Sequence, residues 1–157
     1  VDLDGSIFET RYNLAVAYIN KEEYAKAANQ LSEAAALNPS NPDVYYTLGV
    51  AYEGEADSKL IKKVQDDSFE STTENSEKED GTFGSGIFLN AKDAEFAVIK
   101  LDEAIKAYQK YLEMTKKTDD IEKVQEHIKE LEEDKAAYIK EAEAALETDD
   151  SNPIQGD

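Results

Sequence analysis

Carboxylate side chains are the most abundant groups in this sequence that could do chemistry. The 157 residues include 36 Asp and Glu, 17 Lys and Arg, one His and no Cys, which gives a formal net charge of −19. Without cysteine, and with His127 as the single histidine, the chain excludes disulfides, thiolate metal sites and His-rich zinc sites. The negative charge argues against nucleic acid and anionic lipid surfaces as main partners. Basic proteins and divalent cations remain as candidate partners.

Two acidic segments could bind Ca²⁺. Residues 2–7 are similar to part of an EF-hand loop, but Arg11 stands where the closing Glu belongs. We therefore interpret them as a turn, with Asp4 or Ser6 capping the helix that follows. The carboxylates of residues 66–80 could gather a loose Ca²⁺, but a solvated acidic loop is the simpler interpretation. We expect no metal and no other cofactor.

The remaining polar residues lack the pattern of a catalytic site. His127 has no accompanying nucleophile or second ligand, and we interpret it as a solvated helix residue with a raised pKa. The Gly-rich residues 81–86 lack the Lys and the preceding strand of a phosphate loop. Several acids stand four residues before a Lys, the favourable order for ion pairs on a helix surface. These pairs are Glu22/Lys26, Asp102/Lys106, Glu113/Lys117 and Asp119/Lys123. We expect no enzyme activity.

Helices must position these groups. Apolar residues recur every three or four positions through most of the chain. Residues 38–43, Asn-Pro-Ser-Asn-Pro-Asp, combine a helix end with a helix start, and the polar residues 66–90 favour loop. No apolar run approaches the roughly 18 residues of a membrane span. The sequence is that of a soluble protein, in the cytoplasm or the periplasm. Because it starts at Val1 rather than Met, we interpret it as a fragment or a processed chain.

An internal repeat organises the first half of the chain. Residues 12–18, Tyr-Asn-Leu-Ala-Val-Ala-Tyr, align with residues 46–52, Tyr-Thr-Leu-Gly-Val-Ala-Tyr, and five of the seven positions are identical. Small residues at Ala15 and Gly49 let helices approach closely, whereas Tyr18 and Tyr52 fill wider gaps. Each helical hairpin of this kind has an apolar face that it cannot bury alone, so neighbouring hairpins stack.

The repeat resembles the tetratricopeptide repeat family. The residues that carry the resemblance are Leu14, Ala15, Tyr18, Ala27, Leu31, Ala34 and Pro39 in the first copy and Tyr45, Leu48, Gly49 and Tyr52 in the second. Arg11 departs from the family pattern, which often has a large aromatic residue there. The second helix of the second copy matches best at Ala104, so about 43 residues are inserted before it.

The resemblance and the helical periodicity together predict an all-α fold. It is a right-handed superhelix of two helical hairpins, the second elongated by the insert, with a long C-terminal capping helix. The predicted segments of this single domain, 1–157, are repeat one at about 8–41, repeat two at about 42–118 with its insert at 53–96, the C-terminal helix at about 119–147 and a frayed tail at 148–157. Within repeat two we predict long helices at about 43–67 and 91–117.

The insert should lengthen the hairpin. We expect Leu60, Ile61 and Val64 to be buried against Phe96, Ile99 and the C-terminal helix near Tyr138 and Ile139. Residues 70–82 should be protease-sensitive because they are polar and lack an apolar stripe. The apolar group Phe83, Ile87, Phe88 and Leu89 should tuck onto the hairpin tip or, alternatively, bind a partner.

The C-terminal helix has heptad spacing of apolar residues, with Lys135 as its one polar interruption. The heptad positions are Ile121, Val124, Ile128, Leu131, Tyr138, Ala142 and Ala145. We expect this face to pack within the chain along the elongated hairpin, and the alternative is dimerisation through the heptads.

The family resemblance implies a non-enzymatic scaffold that binds another protein on a concave face lined by the first helix of each repeat. By that analogy the partner-binding residues are Glu9, Tyr12, Asn13, Val16, Asn20, Asp43, Tyr46, Thr47 and Val50. The family's clamp for C-terminal carboxylates uses Lys, Asn and Arg on this face, and the residues here do not match it. Their aromatic and aliphatic side chains would suit an amphipathic helix or an extended apolar segment.

The alternative function is a structural assembly subunit, in a bacterial cell envelope, that self-associates through the groove or through the heptad helix. The partner is therefore another protein or peptide, basic or amphipathic, or a second copy of the chain. Two repeats form a shallow groove, which is consistent with further repeats before Val1 in a longer protein.

Overall fold

The computed structural model describes residues 3–67 and 91–149 of the chain. These residues form five α-helices and no strand: α1 (Leu3–Ile19), α2 (Tyr24–Leu37), α3 (Pro42–Asp67), α4 (Ala91–Met114) and α5 (Thr118–Asp149). The all-α class predicted from the sequence is confirmed. The last three helices lie close to the bounds that the apolar stripes predict, whereas the division into repeats and insert stays a prediction. Across the described residues, no helix has the length and apolarity needed to cross a bilayer.

The first two turns are set by local backbone chemistry. At the α2–α3 turn, the Asn41 side-chain oxygen accepts a hydrogen bond from the Asp43 amide at 3.0 Å, and Pro42 occupies the first position of α3. At the α1–α2 turn, Glu22 adopts a positive φ of 59°, which residues other than glycine seldom adopt. These two turns fold the first half of the chain into consecutive antiparallel helices.

The start of α1 differs from the sequence interpretation. Residues 3–7 lie within α1 rather than in a turn before it. The interpretation of residues 2–7 as a turn capped by Asp4 or Ser6 is therefore wrong, because the helical backbone already begins at Leu3. The same backbone has no loop of the kind that wraps around a calcium ion in an EF-hand.

Each helix packs on its neighbours in the sequence, and small residues let them approach. The first core cluster joins α1 and α2 to α3 through a set of fully buried side chains: Ala15, Ala27, Leu31, Ala34, Val44 and Ala51. The second joins α3, α4 and α5 around Leu101, Tyr108 and Tyr111. Arg11, which departs from the family pattern, hydrogen-bonds to Gln30 at 3.0 Å and forms an ion pair with Glu33, so it ties α1 to α2.

The heptad face of α5 packs along α4. Val124, Ile128 and Leu131 are buried in the second core cluster, while Tyr138 and Ala142 pack against Ala94 near the start of α4. Lys135, the polar interruption, binds Asp102 of α4 with a separation of 2.6 Å. The apolar face of α5 is thus occupied within the chain along most of its length.

The expected burial of Ile99 is wrong, and Ile139, which marks the predicted contact on α5, is also exposed. Ile99 is 50% exposed and Ile139 is 40% exposed. Buried Ala97 and Leu101 each lie two residues from Ile99, about 200° around the helix, so α4 turns Ile99 to the opposite side.

Several sequence predictions lie outside the described residues. They concern the side chains of Leu60, Ile61, Val64 and Ala145, residues 70–82, the acidic residues from 68 onward, the group Phe83, Ile87, Phe88 and Leu89, and the tail beyond Asp149.

Candidate functional site

The predicted partner-binding residues lie on α1 and α3, and the structure brings some of them together. The Tyr12 hydroxyl lies 3.0 Å from the Thr47 hydroxyl oxygen, and Thr47 donates to the Asp43 carbonyl at 2.8 Å. This contact joins the first helices of the two repeat-like hairpins. Glu9 and Asn13 are exposed on α1, Asn20 is exposed directly after α1 ends, and Asp43 is exposed on α3.

The aromatic part of this surface is larger than the sequence predicted. Phe8 stacks on Tyr12 with their ring centroids 6.1 Å apart. Tyr46 is 43% exposed and packs edge-on against Tyr108 and Tyr111, at centroid distances of 5.5 and 5.3 Å. The sequence analysis did not assign Phe8, Tyr108 or Tyr111 to this surface. The spacing of Phe8 four residues before Tyr12 places both on one helix face and could have revealed it.

The aliphatic residues Val16 and Val50 expose less surface to a partner than the sequence predicts. Val16 and Val50 are only partly exposed, and Val50 packs against the core cluster shared by α3, α4 and α5. Among the predicted aromatic and aliphatic binding residues, Tyr46 is therefore more exposed to a partner than Tyr12, Val16 and Val50.

Helix α5 faces α3 across a gap that only side chains span. No Cα atom of α5 lies within 8 Å of a Cα atom of α3 in the described residues. The Lys117 ammonium, just before α5, lies 3.4 Å from the Asp43 carboxylate. Further along, His127 Nε2 lies 2.9 Å from Glu53 Oε2. Side-chain contacts thus link α3 to α1 on one side and to α5 on the other, and we call the surface shared by these three helices the groove.

A recess of about 290 Å³ lies between α3 and α5. Its apolar lining is Tyr46, Tyr111 and Val124, and its charged lining is Asp43, Lys117, Asp120 and Lys123. An apolar floor with charges of both signs at the rim suits a single large side chain from an amphipathic segment.

A cluster around Glu53 connects three helices beside this recess. The Tyr108 hydroxyl of α4 donates to Glu53 Oε2 at 3.0 Å, and the same oxygen is bound by His127. Burial and the neighbouring Glu53 raise the pKa of the Tyr108 hydroxyl above its usual value of 10, so this group stays a hydrogen-bond donor. Glu53 therefore accepts bonds from both α4 and α5.

His127 differs from its sequence interpretation in one respect. It is not a fully solvated residue, because its ring packs edge-on against Tyr108 at 5.4 Å and binds Glu53. Burial opposes its protonation, but hydrogen bonds and charge from Glu53, and then Glu130, outweigh burial and raise its pKa above 6.5. The predicted direction of the pKa shift is confirmed.

A second, larger recess of about 590 Å³ lies outside the predicted surface. It lies between the α1–α2 turn, the middle of α3 and Phe96 of α4, with Tyr24 and Lys59 in its lining. The Lys59 ammonium lies 5.2 Å from the centroid of the Phe96 ring, within the range of a cation–π contact. No local sequence pattern predicts this recess, because its residues come from three separate helices and the turn before α2.

No metal centre is found in the part of the chain that the structure describes: there, no group of three or more His, Asp and Glu side chains could hold an ion. The groove offers a partner aromatic surface, hydrogen-bonding groups and charges of both signs.

Comparison with known proteins gives one match. The family model described as TPR repeat, the tetratricopeptide repeat, matches residues 16–54. This segment runs from the last turn of α1 through α2 into α3. No curated protein and no solved structure matches the chain.

Proposed function

We propose that the chain is a non-enzymatic scaffold that binds a segment of another protein, because its residues 16–54 match the tetratricopeptide repeat. Tetratricopeptide repeats generally mediate protein–protein interaction. The binding surface in this proposal is the groove shared by α1, α3 and α5. The observation that carries it is the exposed Tyr46 ring, which is held edge-on by two tyrosines at the mouth of a recess.

The aromatic residues of the groove supply rigid anchoring surface. Tyr46 cannot turn freely, because Tyr108 and Tyr111 hold it from α4, and Tyr12 is fixed by its bond to Thr47. Aromatic anchors that are already ordered lose little conformational entropy when a partner binds. Such a surface favours an apolar side chain of the partner at Tyr46.

The charged residues of the groove indicate the rest of the partner. Glu9 and Asp43 are exposed beside the aromatic residues, and the whole chain carries a net charge of −19. A basic amphipathic segment would place its apolar face on the tyrosines and its Lys or Arg side chains near these carboxylates. Long-range attraction would also accelerate its association at low salt.

Replacing both Tyr12 and Tyr46 by alanine should weaken partner binding at least about tenfold, because truncation of aromatic hot-spot residues typically costs more than 1 kcal/mol each. The measurement is capture of binding proteins by the wild-type and variant chains from the same lysate, followed by titration of each captured partner. The Tyr12→Phe variant is a matched control that keeps the ring and loses only the bond to Thr47.

The Ile99→Ala variant removes exposed apolar surface from the outer side of α4 and should keep the same partners. If the double tyrosine variant retains its partners at unchanged affinity, the groove is not the binding surface.

Self-association through the heptad face is disfavoured, because its residues Val124, Ile128 and Leu131 are occupied by α4. We expect sedimentation equilibrium to give a monomer mass that does not change with protein concentration. A mass that rises towards the dimer value with concentration would instead favour the assembly subunit.

A further inference from the structure

Both ring nitrogens of His127 face carboxylates. Nε2 lies 2.9 Å from Glu53 Oε2 on α3, and Nδ1 lies 3.4 Å from Glu130 Oε2 on α5 itself. A neutral imidazole carries one N–H and one lone pair, whereas the protonated ring carries two N–H groups. Only the protonated ring can donate to both carboxylates, and a neutral ring turns a lone pair towards one of them.

His127 is surrounded by carboxylates from α3 and α5 and by the neutral Tyr108 hydroxyl of α4. From α3 these are Glu53 and Asp57, from α4 the Tyr108 hydroxyl, and from α5 Glu130 and Asp134. Lys123 stands one turn earlier on α5 and lines the recess. Among the described residues, the cationic group that lies within hydrogen-bond distance of Glu53 is therefore the protonated ring of His127.

The gap between α3 and α5 makes this contact structurally important. Because no Cα atoms of the two helices approach within 8 Å in the described parts of the chain, side chains alone connect them. The ion pairs that cross the gap there are Lys117–Asp43 at one end and His127–Glu53 further along. The second is the one whose charge changes near neutral pH.

We propose that His127 is a pH-sensitive tie between α5 and α3. Its protonated ring holds Glu53 through a charged hydrogen bond, whereas the neutral ring can keep only an uncharged N–H bond there and holds that side of the groove more weakly. The packing of α5 on α4 through Val124, Ile128 and Leu131 persists in both states. The change is therefore a shift of α5 relative to α3, with the recess between them widening as the tie is lost. This device does not depend on which partner the groove binds.

The direction of the pH effect follows from the titrating groups. The pKa of His127 is raised above 6.5 on folding, so its stabilising contribution is complete below pH 6.5 and is lost as the pH rises through the folded value. Burial, with repulsion from neighbouring acids, also raises the pKa values of Asp57 and Asp134 above 3.8. Their charged forms therefore oppose closure, and the cluster as a whole favours the closed groove at lower pH.

The single histidine makes the first test direct, because its ring signals in a proton NMR titration need no assignment. In the wild-type chain we expect His127 to titrate with a pKa above 6.5, and in Glu53→Gln with a lower pKa. Glu130→Gln should lower the pKa less, because Glu130 lies farther from the ring. An unchanged pKa in Glu53→Gln would show that the tie does not exist.

The second test measures the movement. Because the chain has no cysteine, spin labels can be attached at Lys59→Cys on α3 and Glu122→Cys on α5, which are both exposed. The distance between the labels should lengthen as the pH rises from about 5.5 to about 8.5 across the histidine range.

Two further variants separate the tie from general pH effects. In His127→Gln we expect the longer distance between the labels at every pH. In His127→Arg, whose charge is permanent, we expect the shorter distance at every pH. A pH-independent distance in the wild-type chain, or a pH-dependent one in His127→Gln, would overturn the proposal.

Discussion

Replacing Leu101 by alanine should lower the free energy of unfolding by about 2–5 kcal/mol, the range for large-to-small changes in a packed core. Leu101 is only 2% exposed and lies in the cluster where α3, α4 and α5 meet. The substitution removes buried apolar surface and leaves a cavity that three helices cannot easily close. Urea unfolding followed by circular dichroism measures the change as a lower midpoint at an unchanged slope.

Ile99 provides the matched control, two residues away on the same helix. Because it is 50% exposed, Ile99→Ala should change the unfolding free energy by no more than about 0.5 kcal/mol. If Ile99→Ala proved as destabilising as Leu101→Ala, the rotation of α4 about its axis described above would be wrong.

Replacing Gly49 by alanine should destabilise the protein by about 1–3 kcal/mol, as overpacking of a core usually does. A Cβ atom at Gly49 would lie 2.6–2.8 Å from three ring carbons of Tyr108. Tyr108 is almost fully buried and is held by its bond to Glu53, so the ring cannot move aside cheaply. This cost should exceed the gain of about 1 kcal/mol that alanine normally brings to a helix interior.

Gly54→Ala is the comparison on the same helix. Its Cβ would meet the ring of Tyr24, which lies at the first residue of α2 and lines the larger recess. Because that ring has open space beside it, we expect a smaller loss of stability than at Gly49. Thermal unfolding of the two variants side by side gives the ranking, and equal losses would mean that Tyr108 can move as freely as Tyr24.

The sequence predicted the features that depend on local patterns. One such pattern is the repeat of 34 residues, with small residues at Ala15 and Gly49. Another is the pair Pro39 and Pro42, which marks the end of one helix and the start of the next. These patterns were sufficient to predict the all-α class and the resemblance to the tetratricopeptide repeat that residues 16–54 match. The long α3 was also predictable, because the stripe of apolar residues continues past Tyr52 without a break.

The contacts between distant helices were not predictable in the same way. Lys117 was paired with Glu113 in the sequence analysis, but in the structure it binds Asp43, and Lys135 binds Asp102. The rotation of each helix about its axis decides such pairs, and periodicity fixes that rotation only approximately. The same reason explains why Ile99 was expected inside.

The site was predicted in outline only. Analogy placed Tyr12 and Thr47 on one surface, and the structure joins them directly. Tyr108 and His127 were missed as part of the groove, because each reaches Glu53 across 55 and 74 residues of chain. No local pattern connects residues so far apart, and the inserted segment hid the register of the second hairpin.

The packing of each helix mainly on its neighbours in the sequence also governs how the chain folds and comes apart. The contacts between α1 and α2 are close along the sequence and lose little loop entropy when they form, whereas those between α3 and α4 close a longer loop, so the first hairpin should form sooner than the second. Because the structure is nearly one-dimensional, the terminal helices should exchange their amide hydrogens faster than α3, which has a packed neighbour on both sides. Under a stretching force the chain should then yield helix by helix from its ends, with α3 and α4 separating last.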